Sequence, residues 1–95
     1  MLFVIHALDK PGALQTRLAH YEAHKAFLSD TSKFGVNVLM SGPLVEDDGA
    51  TAKGSMFVVE APDRATVEAF HHADPFHTIG IWAQVSITAF IKRHG

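Results

Sequence analysis

Apolar and polar positions along this chain change period several times, and each change marks an element. Leu2 to Leu8 is a run of β-branched and apolar residues with His6 among them. The turn cluster Asp9-Lys10-Pro11-Gly12 halts the run, so the segment predicts a first strand. From Ala13 the period lengthens: Leu14, Leu18, Tyr21, Lys25 and Leu28 recur three and four apart. That spacing traces one helix face, and Gly35 is a C-terminal stop signal. Val36 to Met40 predicts a second strand closed by Ser41-Gly42-Pro43, and Glu46-Asp47-Asp48-Gly49 predicts an exposed loop. Gly54 to Glu60 predicts a third strand. Asp63 can cap a second helix that runs through Val67 and Phe70 and stops near Ala73. Between Ile81 and Ile91, Val85, Ile87, Ala89 and Ile91 alternate with Ser86, Thr88 and Phe90, as a strand with two unlike faces requires.

The order β-α-β-β-α-β predicts an α+β, ferredoxin-like domain over residues 1–95: a four-stranded antiparallel sheet with two helices on one face. The other face carries residues from four apolar strands and calls for a cover. Two copies packed face to face would form a dimeric α+β barrel.

Composition agrees with that architecture. The chain has 95 residues, 47% of them hydrophobic and 19% charged, as expected of one globular domain. A domain of this size buries only about 60 to 65% of the surface its unfolded chain exposes, so a partner subunit helps and a homodimer is expected. Net charge is -2, and the lysines and arginines are scattered, so no stripe for nucleic acid exists. Cysteine is absent. This excludes disulfides, thiolate nucleophiles and thiolate metal sites, and it fits a reducing compartment, with the cytoplasm as the expected location. The apolar start, Met1 to Ile5, is far too short to span a membrane and reads as strand, so no membrane partner is expected. The glycines are dispersed, which leaves neither a phosphate loop nor a dinucleotide fingerprint, and no Gly-x-Ser-x-Gly elbow occurs.

Chemistry then rests on side chains that can move protons. At about 100° per residue Arg17 and His24 point in nearly the same direction, about 10 Å apart along a helix and beside its apolar stripe. An imidazole titrates near neutrality, and an adjacent carboxylate would fix its tautomer. A guanidinium suits an anionic or phenolate-like oxygen. Asp74 precedes Pro75, which bars it from helical backbone and gives Ala73-Asp74-Pro75-Phe76 a compact shape. Each also has a plain structural reading: a border histidine, a solvated arginine, a helix-ending aspartate and, for Phe76, a core anchor. Seven histidines raise a metal site, because His20 and His24 are four apart and His71, His72 and His77 crowd around Asp74. Spacing fixes no third ligand, and adjacent His71 and His72 diverge by about 100° on a helix, so no metal is expected.

Taken together, the strand Leu2-Phe3-Val4-Ile5 ending at Asp9-Lys10, the pair Arg17 and His24, Ser41-Gly42-Pro43, Gly54-Ser55, Ala73-Asp74-Pro75-Phe76 and Gly80 resemble the YCII (YciI-like) family over nearly the whole chain. The resemblance implies a dimeric α+β barrel with a histidine and an aspartate in a cleft as its active site. Carried onto this sequence, these are His24 and Asp74. It further implies that Arg17 and the Ser41-Gly42-Pro43 segment line the same pocket, with Phe76 as a further substrate contact. The implied chemistry is cofactor-free proton transfer or elimination on a small aromatic or quinone-like molecule. His6, where the family often has an aromatic residue, and the short acidic loop at Glu46 to Gly49 depart from the pattern and bear on the substrate.

Two other readings compete with that dyad. One is a non-catalytic module that binds a small metabolite or stabilises a partner. The other is a cofactor-free oxygenase or isomerase with Trp82 and Phe57 facing the barrel interior. A bonded His24–Asp74 pair beside a cleft favours the dyad, a dry and filled gap favours the module, and a large cavity remote from His24 favours the third.

Overall fold

A computed structural model describes residues 1–95 and arranges them as β1 (Leu2–Asp9), α1 (Leu14–Ala19), α2 (Tyr21–Leu28), β2 (Asn37–Val45), β3 (Ala52–Glu60), α3 (Arg64–Ala73), α4 (Pro75–Thr78) and β4 (Trp82–Phe90), with a 3-10 turn at Ser32–Phe34. The strands form one antiparallel sheet in the order β2-β3-β1-β4, the ferredoxin-like order expected. Alternation decides which side each residue faces. Phe3, Ile5 and Ala7 of β1 are buried under the helices, as are Phe57 and Val59 opposite them on β3. Val67 and Phe70 of α3, with Phe76, Ile81 and Trp82, complete this core.

The other side of the sheet has no cover. Val4, His6 and Leu8 point that way, with Met56 and Val58 opposite on β3 and Met40 and Phe90 on the edge strands. His6 is exposed near the middle of this face, and Met40 and Phe90 are 60% and 44% exposed.

Several boundaries differ from the sequence reading. The first helix is two, divided at His20, whose backbone leaves helical geometry (φ -111°, ψ 8°) and whose Nδ1 reaches the Thr16 carbonyl at 2.9 Å. The face turned to the sheet is also not the apolar stripe. Arg17 and His24 are buried, whereas Leu18 and Tyr21 are 58% and 47% exposed. Both polar side chains find buried partners, which removes the cost that would otherwise exclude them from this face. Gly35 closes the 3-10 turn at φ 73°, several residues beyond the end of α2.

Ser41-Gly42-Pro43 does not end a strand but lies within β2, which continues to Val45. Proline is tolerated there because β2 is an edge strand. One extra residue at Leu39 shifts the register: Val38 pairs with Val59, but Met40 pairs with Val58. Beyond this bulge Ser41 and Pro43 fall opposite Phe57 and Ser55, on the helix side. Asp63 caps α3 as expected, accepting from the Thr66 amide at 2.8 Å. No helix is long and apolar enough to cross a membrane.

Candidate active site

Asp74 sits between α3 and α4 with the extended backbone that Pro75 imposes (φ -64°, ψ 132°). Its Oδ1 accepts the Phe76 amide at 2.9 Å and so caps α4. The same oxygen lies 2.9 Å from Nδ1 of His24 on α2, fifty residues away in sequence. A carboxylate oxygen only accepts, so with Asp74 ionised Nδ1 carries the hydrogen. In the neutral ring Nε2 then holds the lone pair. His24 stacks on Phe76 (centroids 4.1 Å apart, planes at 14°) and meets Phe57 edge-on at 5.9 Å. These contacts hold the ring against rotation.

Arg17 lies on the same platform, its guanidinium carbon 4.6 Å from the Phe76 centroid. Nε and Nη2 donate to the two carboxylate oxygens of Asp9 at 2.7 and 2.8 Å, and Nη2 also donates to Ser55 Oγ at 2.8 Å. The two-point pairing with Asp9 fixes the plane of the guanidinium. Arg17 is only 4% exposed, yet its remaining nitrogen, Nη1, has no protein partner and is not sealed from solvent.

A cavity of about 600 Å³ opens between α1, α2 and the β2–β3 hairpin, lined by Arg17, His24, Ser41, Gly42, Pro43 and Ser55, with Leu18, Tyr21, Lys25 and Leu28 from the helices. That volume suits a small molecule. Nε2 of His24 has no protein partner and is not sealed from solvent where the residue lines this space. Five of the residues singled out in the sequence therefore meet in one pocket, with Asp74 directly behind it. Phe76, the seventh, does not stand where it was expected: it is fully buried and forms no part of the wall, because it serves as the platform under His24 and Arg17.

Asp9 and Ser55 are the residues that sequence reasoning missed. Both stand in the pattern that carries the family resemblance, as Asp9-Lys10 and Gly54-Ser55, but nothing in one dimension gave either a role in the site. Trp82 and Phe57 lie on the helix side and not in a chamber on the open sheet face; Phe57 also borders the cavity, which adjoins His24. This geometry disfavours both the filled gap and the remote chamber.

The histidine-rich segment lies apart. His71 is buried and stacks on Trp82 (centroids 5.0 Å), while His72 and His77 are exposed beside it at 4.7 Å from one another. Burial lowers the pKa of His71 to about 4, helped by His77 and His72 and opposed by Asp74. His20 faces Thr16 and shares no site with His24.

Comparison with known proteins places this geometry in context. The model of the YCII-related domain matches residues 1–91. Protein YciI of Escherichia coli is 34% identical, with 97% of this chain and 98% of that protein covered; Protein YciI of Shigella flexneri gives the same figures. Among solved structures, 5-chloro-2-hydroxyhydroquinone dehydrochlorinase (TftG) from Burkholderia phenoliruptrix, in complex with 2,5-dihydroxybenzoquinone, superposes with a TM-score of 0.84 at 32% identity, covering 100% of this chain and 96% of that one. A crystal structure of an antibiotic biosynthesis monooxygenase shares the fold at a TM-score of 0.52 and 22% identity, covering 97% of this chain and 100% of that one.

Proposed function

The chain belongs to the YCII-related family, and we propose that it is an enzyme carrying out acid/base elimination on a small hydroxylated aromatic or quinone-like molecule. The observation that carries this reading is the His24–Asp74 contact at 2.9 Å with the other ring nitrogen open to the cavity. Likeness to a dehydrochlorinase at 32% identity supports the substrate class.

In the proposed step, Nε2 of His24 takes the proton of a ring hydroxyl. A carbonyl forms as the imidazolium returns the proton to the ring carbon bearing the leaving group, and loss of the proton of a second ring hydroxyl then forms the second carbonyl while that group, such as chloride, departs with its bonding pair. The net change is loss of HCl and formation of a quinone, with no external oxidant and no cofactor required. Asp74 holds the reacting tautomer and stabilises the imidazolium that forms. Arg17 receives the substrate oxygen through Nη1, and Ser41, Gly42 and Pro43 shape the opposite wall. The protein acts as a homodimer joined through the open sheet face, and a chain without cysteine suits the cytoplasm.

The test is chloride release and quinone absorbance with a chlorinated hydroxyhydroquinone. Wild type should turn over, His24→Ala should lose about a hundredfold or more in kcat, and Asp74→Asn about tenfold or more. Undiminished turnover by His24→Ala would falsify the assignment.

A further inference from the structure

We infer that Ser55 and Arg17 together form a receptor for a second substrate oxygen, remote from the one deprotonated by His24, so that the site selects rings bearing two oxygens. The inference rests on the catalytic reading above and extends it to substrate recognition.

Donor accounting at Arg17 comes first. A guanidinium has five N–H groups. Nε–H and one Nη2–H go to Asp9, and the other Nη2–H goes to Ser55 Oγ. Only the two N–H groups of Nη1 remain, on a nitrogen not sealed from solvent in a residue that lines the cavity. Ser55 gives a similar result. Its Oγ accepts from Arg17, and its own hydroxyl hydrogen donates to no protein acceptor. Ser55 is 2% exposed and also lines the cavity, so its free O–H has only the cavity in which to find a partner.

That end of the pocket offers unpaired donors beside a fixed positive charge. Asp9, the one carboxylate nearby, is fully engaged by Arg17 and does not line the cavity, and neither does any other acidic side chain. An oxygen with lone pairs, ionised or carbonyl, satisfies Nη1–H and Oγ–H together, whereas an ammonium group meets the Arg17 charge with no carboxylate in the lining to offset it. Distance caps the size of the ligand. The Arg17 guanidinium carbon and the His24 ring lie 4.6 and 4.1 Å from the Phe76 centroid, so less than about 9 Å separates them. A single six-membered ring with oxygens at separated positions bridges such a gap, leaving one oxygen at Nε2 and one at the Ser55–Arg17 end.

Ser55 therefore determines specificity rather than supplying the base. Binding of 2,5-dihydroxybenzoquinone and of a phenol with a single oxygen should be measured by calorimetry on wild type, Ser55→Ala and Ser55→Cys, the cysteine keeping the volume with a much weaker donor. Each variant should bind the dihydroxyquinone about tenfold more weakly while the phenol changes less than twofold, and the turnover defect should lie in KM rather than in kcat. Unchanged affinity for the dihydroxyquinone in both variants, or equal weakening for the two ligands, would overturn the inference. The catalytic reading fails differently: wild type would discriminate between the ligands as expected but release no chloride.

Discussion

At the scale of single residues, the molecule depends on buried charges that are each answered by a partner. Arg17 and Asp9 are 5% and 7% exposed at their side chains, and their pairing is completed by Ser55. Removing one partner leaves the other charge buried, which typically costs about 3 to 5 kcal/mol. Asp9→Ala should therefore lower stability by about 3 kcal/mol, read from urea denaturation; a loss below about 1 kcal/mol would contradict the arrangement. His71 makes a second prediction. Its folded pKa of about 4 lies below the roughly 6.5 of an unfolded histidine, so the unfolded chain binds more protons between those values. The contribution is intact above about pH 6.5, and stability falls as pH drops from there towards 4. Between pH 7 and 5 the expected loss is on the order of 1 kcal/mol. His71→Phe, which keeps the stack on Trp82, should show a shallower fall in its urea midpoint, and an identical fall would remove His71 as the cause.

At the scale of elements, strands were more legible than helices. The apolar runs in β1 and β3 identified strands because their inward residues are all apolar or small. Ser41-Gly42-Pro43 reads as punctuation in one dimension, and only its place on a sheet edge turns it into strand. The stripe through Leu18 and Tyr21 misled because Arg17 and His24 are neutralised by partners on other elements, Asp9 and Asp74, and local periodicity is blind to such pairing. Spacing and residue type singled out His24, Arg17 and Asp74, and a whole-chain resemblance gave them their shared site, whereas Asp9 and Ser55 stood in the same pattern without a role. Two elements are open to direct tests. Asp63→Ala should cost about 1 kcal/mol by uncapping α3, seen as a lower denaturation midpoint. Gly54→Ala should cost about 2 kcal/mol or more, because a Cβ there would lie 2.2 Å from the Ala7 carbonyl oxygen and would force β1 and β3 apart. A melting temperature equal to wild type would refute that crowding.

At the scale of the whole molecule, the sheet separates two tasks: the helix side holds the cavity, and the bare side is proposed to meet a second copy. Replacing Met40 and Phe90 with glutamate puts like charges on that bare side without disturbing the core. Sedimentation should then shift from dimer to monomer, while a wild-type chain that sediments as a monomer would end the pairing proposal. The two tasks meet along β2, where neighbouring residues point to opposite sides, and the extra residue at Leu39 decides which goes where. Were Leu39 paired regularly with Val58 instead of bulging, Met40 would turn to the helix side and Ser41 would turn outward; removing Leu39 merely closes the bulge and leaves Met40 opposite Val58 and Ser41 opposite Phe57. The wall of the pocket is thus written by one local break in pairing as much as by the kinds of residue that follow it.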